Sequence, residues 1–215
     1  MKITRSEDAV LGRILLDIEP QEYDGLPLTK QIWIDGKALW SFADHACIAE
    51  ALFLHSYVSG PLSFSTTCMP FTADALRTFF APRSVPVTTL SLAPRQPPVG
   101  GQTIVIGRIA RENRTPGAFT VELGSSARFR TILDMDRAVI ASNLRMLLRA
   151  GEPEAKMALG LAVLFAGNLD VRRIIVARSD LPMFSASALS SLQTALRGVN
   201  IDLDIRNADA VIERV

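Results

Sequence analysis

Few of the residues that build metal centres or disulfide frameworks occur in this chain: two cysteines, Cys47 and Cys68, and two histidines, His45 and His55, in 215 residues. They are scattered, whereas a zinc site needs four clustered ligands and a disulfide scaffold needs closely spaced pairs. No metal is therefore expected, and two unpaired thiols fit a reducing, cytoplasmic setting. The two histidines stand ten positions apart, which turns them to different faces of one helix. They cannot act as a pair, and each is expected to be a surface or partly buried histidine.

Other absences narrow the chemistry. There is no GxGxxG and no GxxxxGK[ST], so neither a dinucleotide fingerprint nor a phosphate loop is present. There is no GxSxG elbow for a serine nucleophile. No cofactor and no convergent catalytic set is expected. The longest apolar run, 157–167, is bounded by Lys156 and Asn168 and falls well short of the roughly 18 residues of a membrane span. The opening MKITRSEDAV carries acids at once, unlike a signal peptide.

What the chain does have is apolar bulk. Hydrophobic residues make up 48% and charged residues 21%, with a mean hydropathy of +0.24. That composition argues for a folded core. It also exceeds what a freely soluble monomer needs, so some apolar surface is expected to meet another protein or a second copy. Net charge is +1 overall but unevenly laid out: −4 over residues 1–60, +4 over 101–150. Arg108, Arg111, Arg128 and Arg130 lie in the basic stretch and form a candidate basic surface. Few aromatics accompany them and no recognised nucleic-acid module is present, so nucleic acid is the weakest of three partner readings.

The most legible stretch runs from 171 to 207. Residues 172–177, RRIIVA, read as a strand with both faces covered. Ser179, Asp180 and Pro182 break the pattern. Ser185 or Ser187 can cap a helix, on which Leu189, Leu192 and Leu196 recur at helical spacing and which Gly198 ends. Ile201, Leu203 and Ile205 then alternate with Asp202, Asp204 and Arg206 as a half-exposed strand. Two strands joined through one helix imply a parallel pair with a right-handed crossover. Ligands of open α/β sheets sit beyond the carboxyl ends of such strands. Ser179, Asp180, Ser185 and Ser187 are thus the candidate ligand-binding residues, for an anion or nucleotide. The plainer role for the same side chains is capping and turning.

Within this stretch, Ser185-Ala186-Ser187-Ala188-Leu189 resembles the central segment of STAS domains, the anti-sigma-factor-antagonist family. There a strand leads into an Asp-Ser-Ser/Thr-Gly/Ala-Leu turn and one serine is a phosphorylation switch. The resemblance covers about 20 residues, places Ser187 at the switch position, and puts Ser185 where that family has Asp.

Elsewhere the reading is coarser. Residues 9–18 permit helix or strand, and 19–29, with Pro20, Gly25 and Pro27, form a loop. Asp35-Gly36 predicts a hairpin between 31–34 and 37–42, with Trp33 and Trp40 on its arms. A helix is expected from Asp44 to Gly60, and a second one capped by Thr72 and closed by Pro82. Short strands are expected over 61–67 and 85–92. The segment 94–101, PRQPPVGG, is the sharpest break in the chain. Beyond it, 102–110 and 118–123 are expected as a hairpin around 113–117, and 128–133 as a third strand. Asp136 is expected to cap a helix through Leu148, and Pro153 to start a buried helix containing Ala158, Ala162 and Ala166.

The fold class that follows is α/β with mixed α+β content: an N-terminal hairpin-and-helix part over 1–100, then a C-terminal β-α-β unit with a partly parallel sheet over 101–215. The two may pack as one body. The leading functional expectation is a non-catalytic binding or regulatory protein acting through protein contacts, as an oligomer or complex subunit. The alternatives are a small-ligand site after strand 172–177 and nucleic-acid binding through 108–149.

Overall fold

A computed structural model describes residues 1–8, 10–36, 42–91, 96–112, 118–124 and 130–207, with the side chains of 111 and 112 excepted. The architecture is mixed α/β, with an antiparallel three-stranded sheet and a mostly parallel six-stranded sheet.

The small sheet is a meander of β1 (Lys2–Asp8), β2 (Arg13–Glu19) and β3 (Gln31–Asp35), in the order β1-β2-β3. The ambiguous stretch 9–18 therefore contributes a strand, with Ile14, Leu16 and Ile18 turned inward at period two. Gly36, at φ 128, leaves β3 by a backbone conformation that glycine tolerates. The second arm of the expected hairpin, with Trp40, lies outside the described residues.

Helix α1 (Ala43–Leu54) is buried on nearly every face. It ends at Leu54, before Gly60. Its neighbour α4 (Ala155–Leu164) is also buried all round, as its apolar sequence predicts. The two helices meet closely at Gly160. A Cβ there would strike the ring of buried Phe53, so only glycine allows this approach. Helix α2 (Pro70–Phe79) starts with Pro70 in its first turn, not with a Thr72 cap. Thr72 is buried and its hydroxyl has no partner among the described residues. Residues 61–67 and 85–91 are not strands; residue 92 of the second expected strand lies outside the described residues. Among the described residues they make only isolated bridges, such as Leu62 to Val87.

The large sheet runs β6-β7-β5-β4-β8-β9, with β4 Gln102–Ile106, β5 Phe119–Leu123, β6 Ile132–Leu133, β7 Arg137–Ile140, β8 Val171–Ala177 and β9 Asp202–Arg206. Two expectations are corrected here. Strands β4 and β5 are parallel neighbours, not a hairpin, because the chain turns at Gly107 (φ 74) into the short helix α3 (Arg108–Glu112). The segment after Asp136 is strand β7 rather than a helix. Val139 and Ile140 are β-branched, and β7 pairs with β5. Only a 3-10 turn, Leu144–Leu147, follows it.

The C-terminal unit matches its sequence reading. Strand β8 pairs in parallel with β9, and α5 (Ala186–Arg197) crosses between them. Ile174 and Val176 join the main core on one face of β8, while Ile175 and Ala177 join a smaller cluster with Ile109 on the other. Strand β9 closes its edge of the sheet with charge: Asp204 accepts from Arg173 at 2.7 Å and from Arg206 at 2.9 Å. Charged edges of this kind discourage unwanted strand pairing.

Candidate functional site

The order of the parallel strands places a switch point between β4 and β8. From β4 the chain builds outward to β5 and β7, then crosses back to β8 on the other side. Ligands of such sheets bind where the loops after these two strands diverge. In this protein those loops are fastened together. The Asp180 carboxylate is buried, and its Oδ2 accepts the Arg108 N–H at 2.7 Å. It fills the space a Cβ on Gly107 would need. The crevice is occupied by the protein's own carboxylate.

The four candidate ligand residues are thereby separated. Asp180 points inward and Ser179 is exposed. Ser185 is the cap of α5, its hydroxyl accepting the Ala188 N–H at 3.1 Å. Ser187 is exposed on the first turn, its hydroxyl 2.9 Å from that of Ser185. Of the candidate basic residues, Arg108 and Arg130 are exposed, the Arg111 side chain is not described, and Arg128 lies outside the described residues. Arg137 and Arg145 of the same stretch pair locally with Asp134 and Glu154.

Ser185 and Ser187 do line a cleft of about 500 Å³, whose other wall comes from the N-terminal half: His55, Pro82 and Arg83. The His55 ring packs against Phe79, Phe80 and Phe184, with centroids 4.8 to 5.5 Å away. Burial, reinforced by the positive charges of Arg83 and Lys156, pushes its pKa down to about 3. The imidazole is therefore neutral, and its Nε2 accepts from Arg83 Nη2 at 2.9 Å. Arg83 Nη1 donates to the carbonyl of His55, the C-cap of α1, at 2.7 Å and to that of Val58, in the segment beyond the helix, at 2.8 Å. His45, expected at the surface or partly buried, is fully buried, because α1 has no exposed face for it.

Behind the cleft sits a charged cluster that no motif announced. Lys156 is fully buried on α4; its Nζ donates to Glu152 at 2.6 Å and to Ser56 Oγ at 3.0 Å. Ser56 in turn donates to Glu152 at 2.5 Å. The one sequence signal was the i, i+4 spacing of Glu152 and Lys156. Arg149 lies over the Tyr57 ring, 5.0 Å from its centroid, and against Gly25. Among the described residues no group of three His, Cys, Asp or Glu could hold a metal ion.

Gly25 belongs to the loop between β2 and β3, which is pinned from within. Asp24 is withdrawn from solvent and accepts the N–H groups of Gln21, Ser59 and Gly60 at 2.9, 2.9 and 3.1 Å. Its carboxylate also meets the Met1 amino group. The Gly25 N–H donates to the Tyr57 carbonyl at 2.7 Å. Yet the loop's large apolar side chains face outward: Tyr23 is 72% exposed, Leu26 79% and Leu28 79%.

No protein-family model, no curated protein and no solved structure matches the chain.

Proposed function

We propose that this protein is a non-catalytic binding or regulatory protein that acts through protein contacts, as an oligomer of its own chain. The observation that carries the reading is the loop of residues 21–28. Three large apolar side chains stand in water on a backbone held by Asp24 and Gly25. Ordering a loop costs backbone entropy, and burying apolar surface within the fold would offset it. Tyr23, Leu26 and Leu28 contribute no such burial in the single chain. A preorganised loop that presents an exposed tyrosine, with two leucines to exclude water beside it and Arg149 next to it, suits an interface anchor.

A second copy is the occupant that fits the charges. Exposed Glu22 precedes the trio in sequence and exposed Arg149 lies beside Gly25, so the same face carries both an acid and a base that a second copy can meet. Self-complementarity of this kind is what an isologous contact requires. The unusually apolar composition agrees with it. Amide hydrogen exchange followed at increasing protein concentration tests the reading. Residues 21–28 should gain protection as concentration rises, and unchanged exchange there would remove the basis for it.

A further inference from the structure

The cleft between the two halves carries an inference that does not rest on self-association. Three cations converge around His55: Arg83 on the cleft wall, with Arg149 and buried Lys156 behind. One carboxylate of that cluster, Glu152, is already committed to Lys156 and Ser56. Arg83 forms no ion pair among the described residues. With His55 neutral, the half-buried Arg83 guanidinium keeps an uncompensated positive charge on the cleft wall, where charge is less well solvated than in open water.

We propose that this cleft binds a small phosphate monoester, with the phosphoryl group against Arg83 and the Ser185–Ser187 hydroxyls. A phosphate monoester carries close to two negative charges at neutral pH and three strong acceptor oxygens, enough to meet the Arg83 guanidinium and a serine hydroxyl together; a carboxylate offers only two oxygens. The donors are available. Arg83 spends Nη1 on two carbonyls and one Nη2 hydrogen on His55, leaving its Nε–H and the second Nη2 hydrogen without an acceptor among the described residues. The Ser185 and Ser187 hydroxyls share one bond, so one of their two protons remains free to donate. The rest of the lining includes Pro82, Met183 and Phe184, which suits a compact apolar body on the ester. A cleft of about 500 Å³ is the size of a small-molecule site.

The test uses phenyl phosphate as the probe, followed by NMR on the full chain, with benzyl alcohol as the uncharged control. Phenyl phosphate should shift the His55 and Met183 resonances saturably at millimolar concentration, and benzyl alcohol should not. Ser187→Asp places a negative charge on an exposed position of the wall and should weaken binding about tenfold or more, without lowering the melting temperature. Arg83→Lys should weaken it as well, since the ammonium lacks the planar fork. The same binding should persist in a monomeric Leu26→Asp chain. No saturable shift, or binding that Ser187→Asp leaves unchanged, would overturn the proposal.

Discussion

The Asp24 carboxylate accepts the Ser59 N–H at 2.9 Å, tying the loop between β2 and β3 to the segment that follows α1. Burial alone would raise the Asp24 pKa. Hydrogen bonds from the Met1 amino group and from the N–H groups of Ser59, Gln21 and Gly60 outweigh it and hold the pKa below its ordinary value. The ionised form is therefore the one that secures the loop.

Replacing Asp24 by alanine strands several backbone N–H donors. Stability at neutral pH should fall by about 2–3 kcal/mol, and hydrogen exchange over 21–30 should accelerate. Because the folded-state pKa is depressed, this contribution is fully present above the unfolded value near 3.8 and is lost as pH falls through the folded value. Urea denaturation of both proteins at neutral and strongly acidic pH should show the difference shrinking with acid. A constant difference would mean that the carboxylate charge plays no part.

Glu50 behaves in the opposite sense. It is fully buried on α1, neither oxygen has a partner among the described residues, and burial pushes its pKa up to about 8 against the weaker pull of Arg5. The folded protein keeps the proton while the unfolded chain loses it above about 4.5, so the wild type loses stability as pH rises between these values. Glu50→Gln has no proton to lose. The two proteins should be similar near pH 5, and the variant should be more stable by a few kcal/mol at pH 8. Urea titrations at the two pH values decide it; a gap independent of pH would contradict the account.

The Lys156–Glu152 pair is asymmetric in its vulnerability. Glu152→Gln leaves a fully buried ammonium without its counter-charge and should cost about 3–5 kcal/mol. Adding Lys156→Met removes the charge in an otherwise apolar helix and should recover most of that loss. A double-mutant cycle by urea denaturation measures this. Additive losses would show that the two side chains do not depend on one another.

Much of the C-terminal unit was legible in the sequence because each signal there is local. An apolar run marks β8, a serine caps α5, three leucines recur along it, and β9 alternates. Strands β4 and β5 read as a hairpin in the sequence because α3 has only five residues, too few to carry an amphipathic pattern. Strand β7 was misjudged as a helix because Ala138, Val139 and Ile140 are apolar whichever period is assumed. The candidate sites were harder still. Asp180 reads as a turn residue, and only the strand order reveals that its carboxylate closes the crevice against Arg108. Arg83 and His55 reach Ser185 and Ser187 across more than a hundred residues, a relation that periodicity cannot carry. Asp24 likewise looks like one polar residue in a proline- and glycine-punctuated loop until its partners after α1 are known.

The central claim, that the pinned loop of residues 21–28 joins copies of this chain, is tested most directly by sedimentation velocity over a wide concentration range, on the wild type and on Leu26→Asp. The wild type should sediment as an oligomer that dissociates on dilution. The variant should remain a monomer with an unchanged melting temperature, because Leu26 contributes nothing to the core of the single chain. A wild type that stays monomeric at the highest concentration, or a Leu26→Asp variant that assembles as well as the wild type, would contradict it.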